Sequence, residues 1–297
     1  MVSLKLVRFA SDGSEVCVGI VLDGDVVDLG IGDPIRLIQQ IESSELSEEE
    51  FVSTQYDLTR LRRVKFTELD NVHPEKPHLL KPIVPPEVWG FGVTYTRSRA
   101  ARETETSAKG IYDRVYEAER PEVFFKASDH RCVGPNQPVC IREDSHWCVP
   151  EPELAVVVGV RGQVLGFTAG NDMSARDIEG ENPLYLPQAK IYENCCSLGP
   201  VLVTPPSIGN VRNLSIRLSI MRGRSTAFEG ATNTGTMKRT IPELLNFLTR
   251  NNPVPYGSVC LTGTGIVPPD DFSLRDGDLV EICIDNIGTL RNPVKQL

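Results

Sequence analysis

The chain has 297 residues, with 31 basic and 40 acidic side chains and a net charge of −9. That balance argues against a broad phosphate-binding surface, because nucleic-acid-binding proteins usually carry a basic excess or stripe. It is compatible with a small anionic ligand, which feels only the field of its own pocket. A hydrophobic content of 40% with 24% charged residues is that of an ordinary globular protein, with one large domain or a large and a small one.

The N-terminus, MVSLKLVRFASDGSEV, lacks the apolar core of a signal peptide. No run approaches the ~18 apolar residues of a membrane span, so the expected location is the cytoplasm. Three short strands follow in LKLVRFA, CVGIVL and DVVDLG, separated by the turn-forming SDGS and DGD. Helices are expected from Asp33-Pro34 and from Ser47. The proline-dense stretch HPEKPHLLKPIVPPE favours an extended connector. The expected organisation is therefore a small N-terminal α+β unit over 1–70, a linker over 71–87 and a catalytic domain over 88–297.

From Val88 the pattern is strand-rich. Leu214, Ile216, Leu218 and Ile220 alternate, as do Val280, Ile282 and Ile284, which is the period of half-buried strands. A helix is expected over 105–119, and another where Thr240, Pro242 and Glu243 form a capping box ahead of LLNFL. Many short strands with scattered turns predict a β-rich α+β fold, a sandwich or rolled sheet rather than alternating βαβ units. The eight cysteines contain no C-x-x-C pair, and the four histidines show no i,i+4 spacing. Reduced, buried thiols are expected, and zinc is not.

The chemistry begins at VPEPELAVVVG, residues 149–159. Glu151 and Glu153 stand two apart at the mouth of an apolar strand and project from one face if the strand starts at Pro150. Taken alone, a solvated strand end is the simpler reading. The segment GFTAGNDMSARDIE, residues 166–179, adds a third carboxylate, Asp172, and an Arg176-Asp177 neighbour pair able to bond internally. Three carboxylates suit a hard cation, Mg²⁺, Mn²⁺ or Ca²⁺. Lys190 ends the apolar ENPLYLPQAK, where a lone lysine ordinarily snorkels to solvent.

Five motifs in order, E-P-E-L-A-V-V, N-D-M-S-A-R-D, L-P-Q-A-K, L-T-G-T-G and I-G-T-L-R-N-P-V, resemble the fumarylacetoacetate hydrolase family across residues 88–297. P-P-E-V-W-G, R-P-E-V-F-F-K-A and E-N-P-L-Y-L-P-Q-A-K-I-Y are similar to its sugar-acid dehydratase branch, over the whole length. The resemblance implies a β-rich roll of mixed sheets behind a small N-terminal domain. It implies metal ligation by Glu151, Glu153 and Asp172, substrate contact by Lys190 and Thr264, and a dehydratase-branch glutamate at Glu122. It also implies a homo-oligomer, dimer or tetramer.

Hydrolase members carry a Y-x-x-H-x-x-E arrangement whose His and Glu activate water. Counted from Tyr95, this chain has Ser98 and Ala101 at those places, with Glu103 two positions on. Loss of that base weakens C–C hydrolysis or decarboxylation of acylpyruvates and 2,4-dioxo acids, the alternative reading. The resemblance to the dehydratase branch implies dehydration of 2-keto-3-deoxy-D-arabinonate to 2,5-dioxopentanoate, and metal stabilisation of an enolate is the expected route. Lys190 and Glu122 are the expected proton-transfer groups, and Thr94 and Thr264 the expected hydroxyl donors to substrate.

Overall fold

The described residues of the computed structural model are 4–11, 15–98, 103 and 110–297. Strands β1 (Lys5–Ala10), β2 (Val16–Leu22) and β3 (Asp25–Ile31) form an antiparallel meander. Asp23 and Gly24 both take positive φ at the β2–β3 turn, as a two-residue hairpin with right-handed strand twist requires. Two helices follow, Pro34–Ser43 capped by Asp33 and Glu48–Gln55 capped by Ser47. Ser47 and Glu50 cap one another reciprocally. Then come β4 (Arg63–Lys65) and, inside the proline-dense stretch, β5 (His78–Leu80), which pairs with β1.

The remaining strands are β6 (Val88–Gly92), β7 (Glu122–Ala127), β8 (Cys132–Val133), β9 (Val139–Ile141), β10 (Cys148–Val149), β11 (Pro152–Val158) and β12 (Val164–Asp172). After them come β13 (Ser174–Ala175), β14 (Cys196–Val203), β15 (Ser215–Arg222), β16 (Ser225–Asn233), β17 (Ser258–Leu261), β18 (Leu279–Ile284) and β19 (Gly288–Gln296). Among the described residues the large sheet runs β4-β3-β2-β1-β14-β12-β11-β17-β6-β7, with β5 on β1 and β8 on β14. A second sheet runs β16-β15-β18-β19-β9, and β10 pairs with β13. The fold is a β-rich α+β architecture of mixed sheets, since β6 and β17 run parallel within an otherwise antiparallel path.

β11 lies between β12 and β17, and its unbroken apolar run Leu154–Val158 is wholly buried, as a strand covered on both faces requires. β15 and β18 bury alternate residues instead, and Ile216, Leu218 and Ile220 register against Ile284, Ile282 and Val280. The helix Ile241–Thr249 is capped by Thr240, which accepts from the Glu243 amide. The Glu243 carboxylate bonds Arg239 at 2.6 Å, so the second half of the expected box is replaced by an ion pair. The helix expected over 105–119 is described as Ile111–Glu117, and residues 104–109 lie outside the described residues. Among the described residues no helix is long and apolar enough to cross a membrane.

Antiparallel pairing brings the beginning of β11 beside the end of β12, with Pro152 opposite Asn171. The end of β6 meets the beginning of β7, with Gly92 opposite Glu122. β17 runs antiparallel to β11, so its C-terminal loop arrives at the same end of the sheet. Five strand ends, far apart in sequence, therefore converge.

Candidate metal centre and active site

Glu151 precedes β11, Glu153 lies within it and Asp172 ends β12. One oxygen from each falls within 4.8 Å of the others, and the three residues are 4%, 1% and 1% exposed. The solvated strand end suggested by the fragment alone is thus replaced by a buried cluster, because the chain folds Asp172 over it. Lys190 is buried too, with its Nζ 2.9 Å from Glu151 Oε2 and 3.1 Å from Asp172 Oδ2. It does not snorkel, because its short helix, Leu186–Lys190, aims it at those carboxylates. The Phe124 ring lies beneath the ammonium at 5.6 Å.

Each carboxylate also meets a cationic side chain or a backbone amide from behind. Lys126 Nζ lies 2.6 Å from Asp172 Oδ1, an ion pair, and donates to the carbonyls of Met173 at 2.8 Å and Lys190 at 2.5 Å. Arg176 Nη2 lies 3.3 Å from Glu151 Oε1, while neighbouring Asp177 is taken by Ser145 Oγ and the His146 amide. The Gly263 amide donates to Glu153 Oε2. Burial, then neighbouring Asp172 and Glu151, push the Glu153 carboxyl well above its ordinary range, against the pull of Lys190 and the Gly263 amide. Burial is the largest influence on the Lys126 ammonium and disfavours its charge. Asp172 leads the opposing influences, and the net shift is upward.

The donor set is all oxygen and all carboxylate, the chemistry of a hard divalent cation. Despite three cationic side chains nearby, Glu153 still resists ionisation, and a dication is the group whose charge would relieve that. Glu151, Glu153 and Asp172 fit the role of its ligands.

The cavity above the cluster is lined by Glu122, Glu151, Asp172, Glu179, Lys190 and Thr264, among others. Glu122 sits over Gly92, where any Cβ would run into its carboxylate. Thr264 Oγ1 accepts from the Ile266 amide at 3.2 Å. Thr94 lies behind this wall, where its hydroxyl donates to the Thr262 carbonyl at 2.7 Å and abuts Gly263. Ser98, at the hydrolase histidine's place, donates to the Tyr95 carbonyl at 2.9 Å. Ala101 is outside the described residues, and Glu103 accepts from the Gly110 amide. Wider grooves lie elsewhere, one between Arg63, Lys65 and Lys76. Among the described residues, three potential ligands converge only at this cluster.

Sequence reasoning overlooked Lys126, Glu179 and Gly263, and it paired Arg176 with Asp177, whereas Arg176 meets Glu151 and Asp177 is held by Ser145 and His146. The first had a signal, since Glu122, Phe124 and Lys126 alternate onto one face of β7. Gly263 acts through its backbone amide, which residue type does not announce.

The model described as fumarylacetoacetate (FAA) hydrolase C-terminal matches residues 88–295, and the chain belongs to that family. Its relatives narrow the field. The 2-dehydro-3-deoxy-D-arabinonate dehydratase of Saccharolobus solfataricus is 43% identical over 99% of this chain and 97% of its own. A probable 2-keto-3-deoxyxylonate dehydratase of Haloferax volcanii is 49% identical over 73% of this chain and 75% of its own. A solved structure of 2-keto-3-deoxy-D-arabinonate dehydratase complexed with magnesium and 2,5-dioxopentanoate superposes with a TM-score of 0.85, at 41% identity, over 99% of both chains.

Proposed function

We propose that this chain is a Mg²⁺-dependent hydro-lyase that converts 2-keto-3-deoxy-D-arabinonate to 2,5-dioxopentanoate and water. The observation that carries the reading is the buried Glu151–Glu153–Asp172 cluster with Lys190 across it, in a chain similar over its full length to dehydratases of such acids.

Bound to the three carboxylates, the cation supplies Lewis-acid polarisation of the 2-oxo group. The protein's own share is proton transfer and positioning. Dehydration removes a proton from C3 and delivers one to the departing C4 hydroxyl, leaving a C3=C4 enone. A proton shift from C5 to C3 then gives the C4=C5 enol, which tautomerises to the dioxo acid. Lys190 and Glu122 face the same cavity and divide the two transfers of the dehydration. Thr264 positions the substrate's acid group. Thr94 contributes by bracing the Thr262–Gly263 turn through its hydroxyl, so its part in substrate binding is carried by the loop it holds. With Ser98 bonded to its own turn, the water-activating base of C–C hydrolysis has no counterpart there. The same reading puts the enzyme in the cytoplasm as a homo-oligomer, dimer or tetramer, which light scattering checks.

The test is a panel of 2-keto-3-deoxy sugar acids and acylpyruvates with Mg²⁺, read by product mass. Loss of water from the sugar acid supports the proposal, and release of pyruvate from an acylpyruvate without dehydration refutes it. Deuterium exchange at C3 in Lys190→Ala and Glu122→Gln separates the roles, because the variant that loses exchange held the base.

A further inference from the structure

We infer that Gly92 is a positioning residue for the dehydration, because the side chain it lacks leaves the slot in which the Glu122 carboxylate lies. This rests on the reading that Glu122 carries one of the two proton transfers. Gly92 and Glu122 stand directly opposite each other on β6 and β7, so their side-chain directions share one face of the sheet. A Cβ on Gly92 would have Glu122 Oε2, Cδ and Cγ as its three nearest neighbours. The carboxylate therefore lies down across β6 over bare backbone. Both residues line the cavity, together with Lys190 and Thr264.

Backbone conformation gives no other reason for the glycine, since Gly92 does not take positive φ. Glycine inside a strand weakens it and often marks a close approach, and here what approaches is one carboxylate. The device repeats two residues earlier. Gly90 lies opposite Phe124, a Cβ there would strike the Phe124 ring, and that ring lies beneath Lys190. Gly90 and Gly92 thus make a strip along β6, free of side chains, on which two β7 residues of the site are laid. At the next residue Val93 takes φ +53°, a conformation that β-branched side chains rarely adopt and that persists only where the surroundings fix it. An added methyl at Gly92 therefore moves the flexible carboxylate and not the strand.

The test measures kcat, KM and Tm for Gly92→Ala, Glu122→Gln and the double variant, with 2-keto-3-deoxy-D-arabinonate and saturating Mg²⁺. Gly92→Ala is expected to lower kcat by about 10²-fold, the scale of a misplaced reacting group, with KM and Tm little changed. In the Glu122→Gln background the same substitution is expected to cost little more, because the group it displaces is already inert. Deuterium exchange at C3 is expected to be lost in Gly92→Ala only if it is lost in Glu122→Gln. A glycine needed only for the fold would lower kcat by the same factor in both backgrounds, and that result overturns the inference, as does normal turnover in Gly92→Ala. Should Gly92→Ala not fold, adding Glu122→Ala is expected to restore the fold by clearing the new methyl. Failure to restore it puts the need for glycine elsewhere and overturns the inference too. Near-normal turnover in Glu122→Gln is a separate outcome, which rejects the role of Glu122 itself and this inference with it.

Discussion

Glu153 ionises at an electrostatic cost in the folded chain, since burial and two neighbouring carboxylates hold its proton on. For an acid with a raised folded pKa, the stabilising share is fully present below the unfolded value, 4.5. It is lost as pH rises through the folded value. The Tm of EDTA-treated protein is therefore expected to fall as pH rises above 4.5, more steeply than that of Glu153→Gln, and the Tm gain from Mg²⁺ to grow over the same span as ligation displaces the proton. Equal slopes in thermal melts of the two proteins would contradict this. Lys190→Ala is expected to lower kcat by about 10²–10⁴-fold while calorimetry still finds Mg²⁺ binding. Near-normal turnover removes the lysine from the mechanism. The residues legible in the sequence, Glu151, Glu153, Asp172 and Lys190, were so through the family resemblance of their motifs, since the fragments alone favoured a solvated strand end and a snorkelling lysine. Lys126 and Arg176 were not, because their roles exist only once β7 and the helix Arg176–Glu181 pack against Asp172 and Glu151.

At the level of elements, the alternation in β15 and β18 and the N-terminal meander were readable because residue period and pleat coincide. The β11 run was readable as buried, but its neighbours were not, since no local pattern specifies that β12 and β17 flank it. The LTGTG turn after β17 shows what local sequence conceals. Its first glycine reads as loop punctuation, yet it takes φ +91°, packs on Thr94 and donates to Glu153. Gly263→Ala is expected to cost at least roughly 1–2 kcal/mol from backbone strain alone, with a further loss as the clash moves Thr94 and the amide. Circular-dichroism melts and a Mg²⁺ titration check both effects, and an unchanged Tm with unchanged affinity would show that the turn tolerates a side chain.

Across the whole molecule, the N-terminal meander is not tethered by the connector alone. β1 pairs with β14, Lys5 against Val203 and Leu6 against Leu202, and β14 pairs in turn with β12, the strand that ends in Asp172. We propose that residues 1–70 act as a unit that finishes this sheet and that the 71–87 segment, which itself lends β5 to β1, crosses between the two parts. Leu6 is fully buried there, so Leu6→Ala is expected to lower stability by about 2–5 kcal/mol, measured by chemical denaturation. A change below about 0.5 kcal/mol, the usual scale of a surface substitution, would mean that β1 is dispensable to the body.

In the proposed reading these contacts hold three acidic side chains, two at the start of β11 and one at the end of β12, where a dication would draw electrons from a 2-oxo acid. The most direct measurement strips the protein with EDTA and follows dehydration of 2-keto-3-deoxy-D-arabinonate as Mg²⁺ is added back. Saturable recovery of 2,5-dioxopentanoate formation from a negligible baseline is expected. Full turnover in the stripped protein, indifferent to Mg²⁺, would contradict the account.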